Sequence, residues 1–461
     1  MRLMKKLLGI LAGLVVLVVA GAYLYAVAAP PTLLRVGAGY SSKIVCSSAL
    51  VSGRDPAKVL DIDVQAPGNP VLKGYTVQTD RASGDVRSEF LRFIAPMDSV
   101  ARPGLGCAAV PDGRIARAKD QSAPPAPGPS TSKVLWPEGA GVDLAGHDNL
   151  APILDDAGLA GPGMRAIVVV KDGRIVGERY GAGFDARTPL LGWSMTKSVT
   201  AALAGTVIEA GKLRLDQDHL LPQWAGDGRA QITVAQLMSM SSGLRFNEDY
   251  GDVSDITRML YLEPDMAGFA AGEPLAAKPG STFHYSSGTA VILSRIWQNA
   301  IGDKTAALAW PRKALFGPLG MGSAVLETDE AGTFVGSSYL YATARDWARF
   351  GQFLLQDGEW NGRQILPPSF VRMMHSPSAA DPVYAKGMLW LAGPAPKMKA
   401  GDDKAYGLPA DTYWLEGHDG QTVTVIPSAG MVVVRMGLTP SDLNYRPQRL
   451  VAALVKALGP T

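Results

Sequence analysis

The chain opens on an unbroken apolar run, residues 7–29, placed directly behind Arg2, Lys5 and Lys6. As a helix rising about 1.5 Å per residue, such a run is long enough to cross a bilayer. Basic residues ahead of it hold that end in the cytoplasm and send the rest outward. Residues 1–30 therefore read as an uncleaved anchor; the alternative is a signal segment removed after Ala26-Val27-Ala28. Either way the remainder is expected to be periplasmic or otherwise extracytoplasmic, held at the inner membrane in the first case. From about residue 35 to 115 the pattern changes to short alternations such as Val59-Leu60-Asp61-Ile62-Asp63-Val64, broken by Gly and Pro. These predict strands of a small N-terminal domain. Residues 116–139 contain Asp120-Gln121-Ser122-Ala123-Pro124-Pro125-Ala126-Pro127-Gly128-Pro129-Ser130, whose prolines exclude regular structure and favour an extended linker.

From residue 140 to the end the pattern predicts one larger domain. Two β-branched runs, 165–170 and 175–180, flank Lys171-Asp172-Gly173-Arg174, and Asp-Gly in that position signals a hairpin. Apolar helices are expected over 199–210, closed by Gly211, over 232–240 with Thr233 as N-cap, and over 290–300. Further helices are expected over 345–355 and 447–458, and strands over 422–427 and 431–436. Strands at both ends with helices between them give an α+β fold, an α/β sandwich. It consists of an antiparallel sheet flanked by helices, with a helical subdomain inserted between the first and last strands.

Charge and cysteine content narrow the function. The 44 Lys and Arg nearly balance the 42 Asp and Glu, without a basic stripe, so nucleic-acid binding has no support. The two cysteines, Cys46 and Cys107, lie far apart with no histidine at ligand spacing, so no metal site is read from them. In an exported chain such a pair is expected to bridge, and a disulfide within the N-terminal domain is the reading. No cofactor motif is present. His147, His219 and His375 are scattered, and His284 reads as a packed neighbour of Tyr285.

The chemistry centres on Gly192-Trp193-Ser194-Met195-Thr196-Lys197, where a helix begins. Residues three apart on a helix share a face, so the Lys197 amine reaches the Ser194 hydroxyl. A lysine confined in a closed site loses its proton more easily and can activate a serine. The helix start adds unpaired N–H groups that favour developing negative charge. Alone, Ser-x-x-Lys is equally a capping serine followed by a solvated lysine. A Ser-His-Asp site of the nucleophile-elbow kind is excluded, because Gly-x-Ser-x-Gly would need glycine where Thr196 stands.

Further segments follow in a telling order: Ser241-Ser242-Gly243-Leu244 after the 232–240 helix, Tyr285-Ser286-Ser287 after Pro279-Gly280, and Gly417-His418-Asp419-Gly420-Gln421 opening a strand. With Ser194-Met195-Thr196-Lys197, this order resembles the serine β-lactamase and penicillin-binding-protein superfamily over residues 140–458. The branch resembled is that of class C β-lactamases, related esterases and linear-amide hydrolases of the aminohexanoate-dimer type. The resemblance implies Ser194 as the acylated nucleophile, Lys197 as its activator and Tyr285 as the proton shuttle. A phenol beside an ammonium would then have its phenolate form favoured. The resemblance also implies an oxyanion hole made by the backbone N–H groups of Ser194 and Gln421. Substrate contacts fall to Ser287, in the asparagine place of Tyr-x-Asn, to His418, Asp419 and Gly420, in the place of Lys-Thr-Gly, and to Tyr250.

Two of these departures bear on substrate. Histidine is mostly neutral near pH 7, and an aspartate repels a carboxylate inside a cleft. The expected substrate is therefore a small or peptide-like amide or ester, with poor turnover of penicillins, cephalosporins and D,D-peptides. The acidic loop Glu248, Asp249 and Asp252 would favour neutral or amine-bearing molecules if it borders the pocket. Two rival readings stand beside this one: a non-catalytic cell-envelope protein that binds through the same cleft, and a true β-lactamase or D,D-peptidase.

Overall fold

The fold was obtained as a computed structural model and is described for residues 2–66, 68–395 and 402–459. Its centre is a five-stranded antiparallel sheet. The edge strand Tyr413–Gly417 pairs with Gln421–Ile426, which pairs with Met431–Gly437, then Met164–Lys171, then Arg174–Tyr180. The Asp172-Gly173 turn joins the last two, with both residues at positive φ (49° and 77°) as the tight hairpin requires. Val168, Val170, Val423, Val425, Val432 and Val434 are fully buried on one face against the helices Met195–Glu209 and Ala344–Leu355. On the other face Ile167, Val169, Ile426 and Val433 pack on the C-terminal helix Pro447–Leu458. The helical subdomain lies in sequence between the outermost strands, as the pattern predicts, and the chain is α+β.

The predicted helices form where the caps stand. Thr233 and Gln236 make a reciprocal capping box at the start of Val234–Met238. The helix Ser287–Ile301 starts from Ser286, whose Oγ accepts the Thr289 N–H at 3.1 Å.

The N-terminal region departs from its reading. The run 59–64 is not a strand: it continues the turn Pro56–Val59 as the helical segment Leu60–Gln65. Asp63 supplies the reason. Its carboxylate is turned inward to Arg54 and to Arg165 of the central sheet, a tie that local alternation does not reveal. A buried helix, Thr32–Leu50, lies instead across a four-stranded antiparallel meander of Tyr75–Asp80, Asp85–Phe90, Ile94–Arg102 and Gly106–Val110. Cys46 and Cys107 join this helix to the last strand of the meander by a disulfide.

This unit packs on the main domain and shares its largest hydrophobic cluster, to which Val36, Ile44 and Val45 contribute. A Cβ at Gly39 would lie 2.9 Å from the backbone oxygen of Tyr261, so glycine permits the close approach to the helix Asp255–Leu262. Between the two units Lys43 and Glu327 form a fully buried ion pair, with Ser47 Oγ and the Cys107 N–H also donating to Glu327. Removing one partner strands the other charge in the interior. Lys43→Met is expected to lower unfolding stability by about 3–5 kcal/mol, read from the denaturant midpoint. The stretch 116–139, read as an extended linker, begins inside a short helix, Ile115–Lys119, and carries no helix or strand between 120 and 134. It is nevertheless fastened to the surface, through Gln121 to the Glu330 carbonyl (2.6 Å) and Gly128 to the Gly322 carbonyl (3.0 Å).

Among the described residues one helix, Met4–Ala28, is long and apolar enough to cross a membrane, and its apolar window is not buried against the rest of the protein.

Candidate active site

Ser194 sits at the first turn of Met195–Glu209, half-buried, after Trp193, whose φ of 49° marks a sharp elbow. The helix is buried along nearly its whole length, which fixes where Ser194 and Lys197 point. Lys197 Nζ lies 2.9 Å from Ser194 Oγ, 3.0 Å from Ser287 Oγ and 3.1 Å from the Ser337 carbonyl. Those three acceptors match the three N–H bonds of an ammonium. Burial works against the charge and lowers the Lys197 pKa to about 8, although Glu248 pulls it upward. An amine so placed gives up its proton just above neutrality and can then accept the proton of Ser194.

Tyr285 joins the pair from the loop before Ser287–Ile301, close enough for Ser194 to act on its hydroxyl electrostatically. The expected phenolate is not favoured. Lys197 Nζ lies over the face of the Tyr285 ring, 4.7 Å from its centroid, rather than beside the hydroxyl. Burial, and then the charge of Glu248, raise the Tyr285 pKa well above its usual value, against an opposing effect of Ser194. Tyr285 is thus a neutral phenol that can pass a proton, and Lys197 is the group able to take one.

Glu248 is the residue whose part the sequence left conditional. Its two oxygens receive both the N–H (2.8 Å) and the hydroxyl of Ser287, so it extends a chain from Ser194 through Lys197 and Ser287. The acidic loop was visible in the sequence, but nothing local ties it to a helix start some forty positions later. Glu416, on the edge strand, is a second carboxyl near Tyr285. Burial, and less so Asp403, raise its pKa above the usual carboxylate range.

Tyr250 is half-buried and stacks on His418, with ring centroids 4.9 Å apart. Trp193 meets His418 at 5.5 Å and Tyr250 at 6.5 Å. The structure therefore gathers Ser194, Lys197, Tyr285, Ser287, Tyr250 and His418, and it adds Trp193 and Glu248. Asp419 lies beside His418 on the wall of an adjoining cavity.

Gln421 and Gly420 do not meet the expectation. The strand that reaches the nucleophile is the edge strand before the turn: a Cβ on Gly417 would lie 2.3 Å from the Gly192 carbonyl oxygen. Gln421 begins the second strand and is paired with Gly417. Its side chain is held inside, where its oxygen accepts the Gly437 N–H at 2.9 Å. Gly420 presents its carbonyl to Arg435 at 2.9 Å. The ladder shows where a second backbone donor lies. Trp414 turns both its N–H and its C=O outward to Trp390, at 2.8 and 2.9 Å. Antiparallel alternation then turns the N–H groups of Glu416 and His418 outward as well, while Gly417 and Gln421 face each other. Gly417 is extended (φ −125°, ψ 156°), so this direction holds as far as His418. The free donor on the nucleophile side is therefore the N–H of His418, not of Gln421.

A half-buried serine in contact with a buried lysine, beside a tyrosine and a strand edge, is the arrangement of a serine hydrolase. The chain belongs to the Beta-lactamase family, whose profile matches residues 97–454. It is 20% identical over 291 residues to a 6-aminohexanoate-dimer hydrolase of Paenarthrobacter ureafaciens, covering 57% of this chain and 72% of that protein. In structure it is similar to a penicillin-binding-protein homologue from Caulobacter crescentus (TM-score 0.52, 18% identity, 69% of this chain and 99% of the other). It is also similar to a penicillin-binding protein from Bacillus halodurans (TM-score 0.50, 17% identity, 67% of this chain and 100% of the other). Identities this low establish the shared fold.

Proposed function

We propose that the protein is an extracytoplasmic, membrane-anchored hydrolase that cleaves amides or esters through an acyl-enzyme on Ser194. The observation that carries the reading is the contact of Lys197 Nζ with Ser194 Oγ at 2.9 Å in a buried setting that lowers the lysine pKa to about 8. Neutral Lys197 takes the proton of Ser194 as Oγ adds to the substrate carbonyl. The N–H groups of Ser194 and His418 hold the resulting oxyanion. Tyr285 gives its proton to the departing nitrogen or oxygen and regains one from Lys197, so the C–N or C–O bond breaks without a charged leaving group. Water then adds to the ester carbonyl by the same route and restores Ser194. The apolar helix Met4–Ala28 and the Cys46–Cys107 disulfide support an anchored, extracytoplasmic placement.

Selectivity follows from charge. Glu248 lies at the site and Asp419 beside it, so a carboxylate-bearing β-lactam or D,D-peptide meets repulsion in place of a cation. On a panel of penicillins, cephalosporins, short-chain esters, linear amides and D-amino-acid peptides, kcat/KM is expected to be at least about a hundredfold higher for neutral esters or amides than for any β-lactam, from like-charge repulsion of roughly 3 kcal/mol. Efficient β-lactam turnover would overturn the charge argument.

A further inference from the structure

A cavity of about 270 Å³ lies between the N-terminal helix and the nucleophile elbow. Leu33, Val36 and Leu72 line its outer part, and Trp193, Tyr250 and His418 its inner part. Its charged lining residues are Asp252 and Asp419, and among the described residues no lysine or arginine lines it. The Tyr75 hydroxyl, also on the wall, is already engaged with the Leu34 carbonyl at 2.8 Å. Such a space suits hydrocarbon and disfavours an anionic group.

The outer end of the cavity adjoins the apolar helix. Leu33 follows the end of Met4–Ala28 by five positions, and its 41% exposure leaves it at the surface; Val71, also on the wall, is 38% exposed. Phe93, 55% exposed, meets the ring of Tyr23 within the apolar helix at 6.1 Å, and Leu91 beside it is exposed to the same degree. Exposed apolar side chains around the foot of a membrane span are where a bilayer surface would meet the protein. At the inner end, His418 both lines the cavity and carries the free strand N–H. Tyr285, which serves the leaving group, packs on Tyr384 and Trp390 and does not line it.

We infer that this cavity receives the acyl chain of an amphiphilic ester or amide drawn from the membrane surface, with the carbonyl presented to Ser194. The inference rests on the hydrolase reading above and names the substrate class for the same site. Ser194 Oγ would bond to the acyl carbon, the alcohol or amine would leave with the proton from Tyr285, and water would release the fatty acid. Its new carboxylate would then be repelled by the aspartates.

The test uses the full chain in phosphatidylcholine vesicles with p-nitrophenyl esters of two to twelve acyl carbons. From two to eight carbons kcat/KM is expected to rise by about tenfold or more, since each buried methylene favours binding. Filling the cavity with Leu72→Trp, or separately Val36→Phe, is expected to bring the eight-to-two-carbon ratio close to one. Retained labelling by a fluorophosphonate probe shows that each variant is folded. The eight-carbon ester carried in the protein's own vesicles is expected to turn over several-fold faster than in separate, protein-free vesicles; equal rates would overturn the membrane route. A wild-type preference for the two-carbon ester, or an unchanged ratio in labelled variants, would overturn the acyl-chain assignment and leave the hydrolase reading standing. If neither variant is labelled, the wild-type series decides. A folded wild type that is neither labelled nor active would sink the hydrolase reading itself.

Discussion

Ser194→Ala is expected to lower kcat on the best ester or amide by about 10⁴-fold or more, and Lys197→Met to cost nearly as much. Serine has no useful nucleophilicity until its proton is removed, and the group in contact with Ser194 Oγ that can remove it is Lys197. Because the two residues perform one step, their losses should not add: the double variant is expected to fall within about threefold of Ser194→Ala. Nearly additive losses in kcat would mean that Lys197 acts elsewhere than on this hydroxyl. Lys197→Met also removes a buried charge, so the fold should survive, and the thermal midpoint provides the control.

The second large effect is on pH. Lys197 must be neutral to accept the Ser194 proton, so kcat/KM should be low below its pKa and rise through a single midpoint near 8. Glu248 raises that pKa, so Glu248→Gln should move the midpoint to lower pH and make the variant relatively more active at pH 6–7. A residue that merely propped the loop would lower activity at every pH without moving the midpoint. A shift to higher pH in Glu248→Gln would contradict the assignment of Lys197 as the base. Tyr285 gives the opposite check. Its pKa lies above its ordinary value, so Tyr285→Phe should lower kcat while leaving the acid limb where it is.

What the sequence revealed, and what it hid, divides along the range of the interactions involved. The Asp172-Gly173 hairpin, the Thr233 cap and the pairing of Ser194 with Lys197 each depend on residues within a few positions of one another, and all are legible in order of residues. The strand pattern read over 59–64 misled because Asp63 is drawn to Arg165, about a hundred positions away. The motif points to Gln421 as the second backbone donor because it fixes spacing but not which way an N–H points. That direction emerges only from the contact of Trp414 with Trp390 and from the closure of the hairpin at Gly417. The electrostatics of Tyr285 likewise depend on direction, which the sequence does not carry. Proximity of a phenol and an ammonium favours phenolate only when the charge meets the hydroxyl, and here it meets the ring face.

The N-terminal unit shows the same limit at larger scale. Its disulfide was legible from the two cysteines of the chain. Its role was not, because the contacts of Tyr40 with Tyr261 and of Lys43 with Glu327 join segments more than two hundred residues apart. Through them the helix Thr32–Leu50 becomes a wall of the cavity that Trp193, Tyr250 and His418 also line.

In the proposed reaction Ser194 carries the acyl group. Intact-protein mass spectrometry with peptide mapping, after brief exposure to a fluorophosphonate and separately to an activated ester, tests this most directly. One adduct per chain is predicted, located on Ser194 and missing from Ser194→Ala. An adduct mapping to any other residue, or a folded wild type that takes up none, would contradict it.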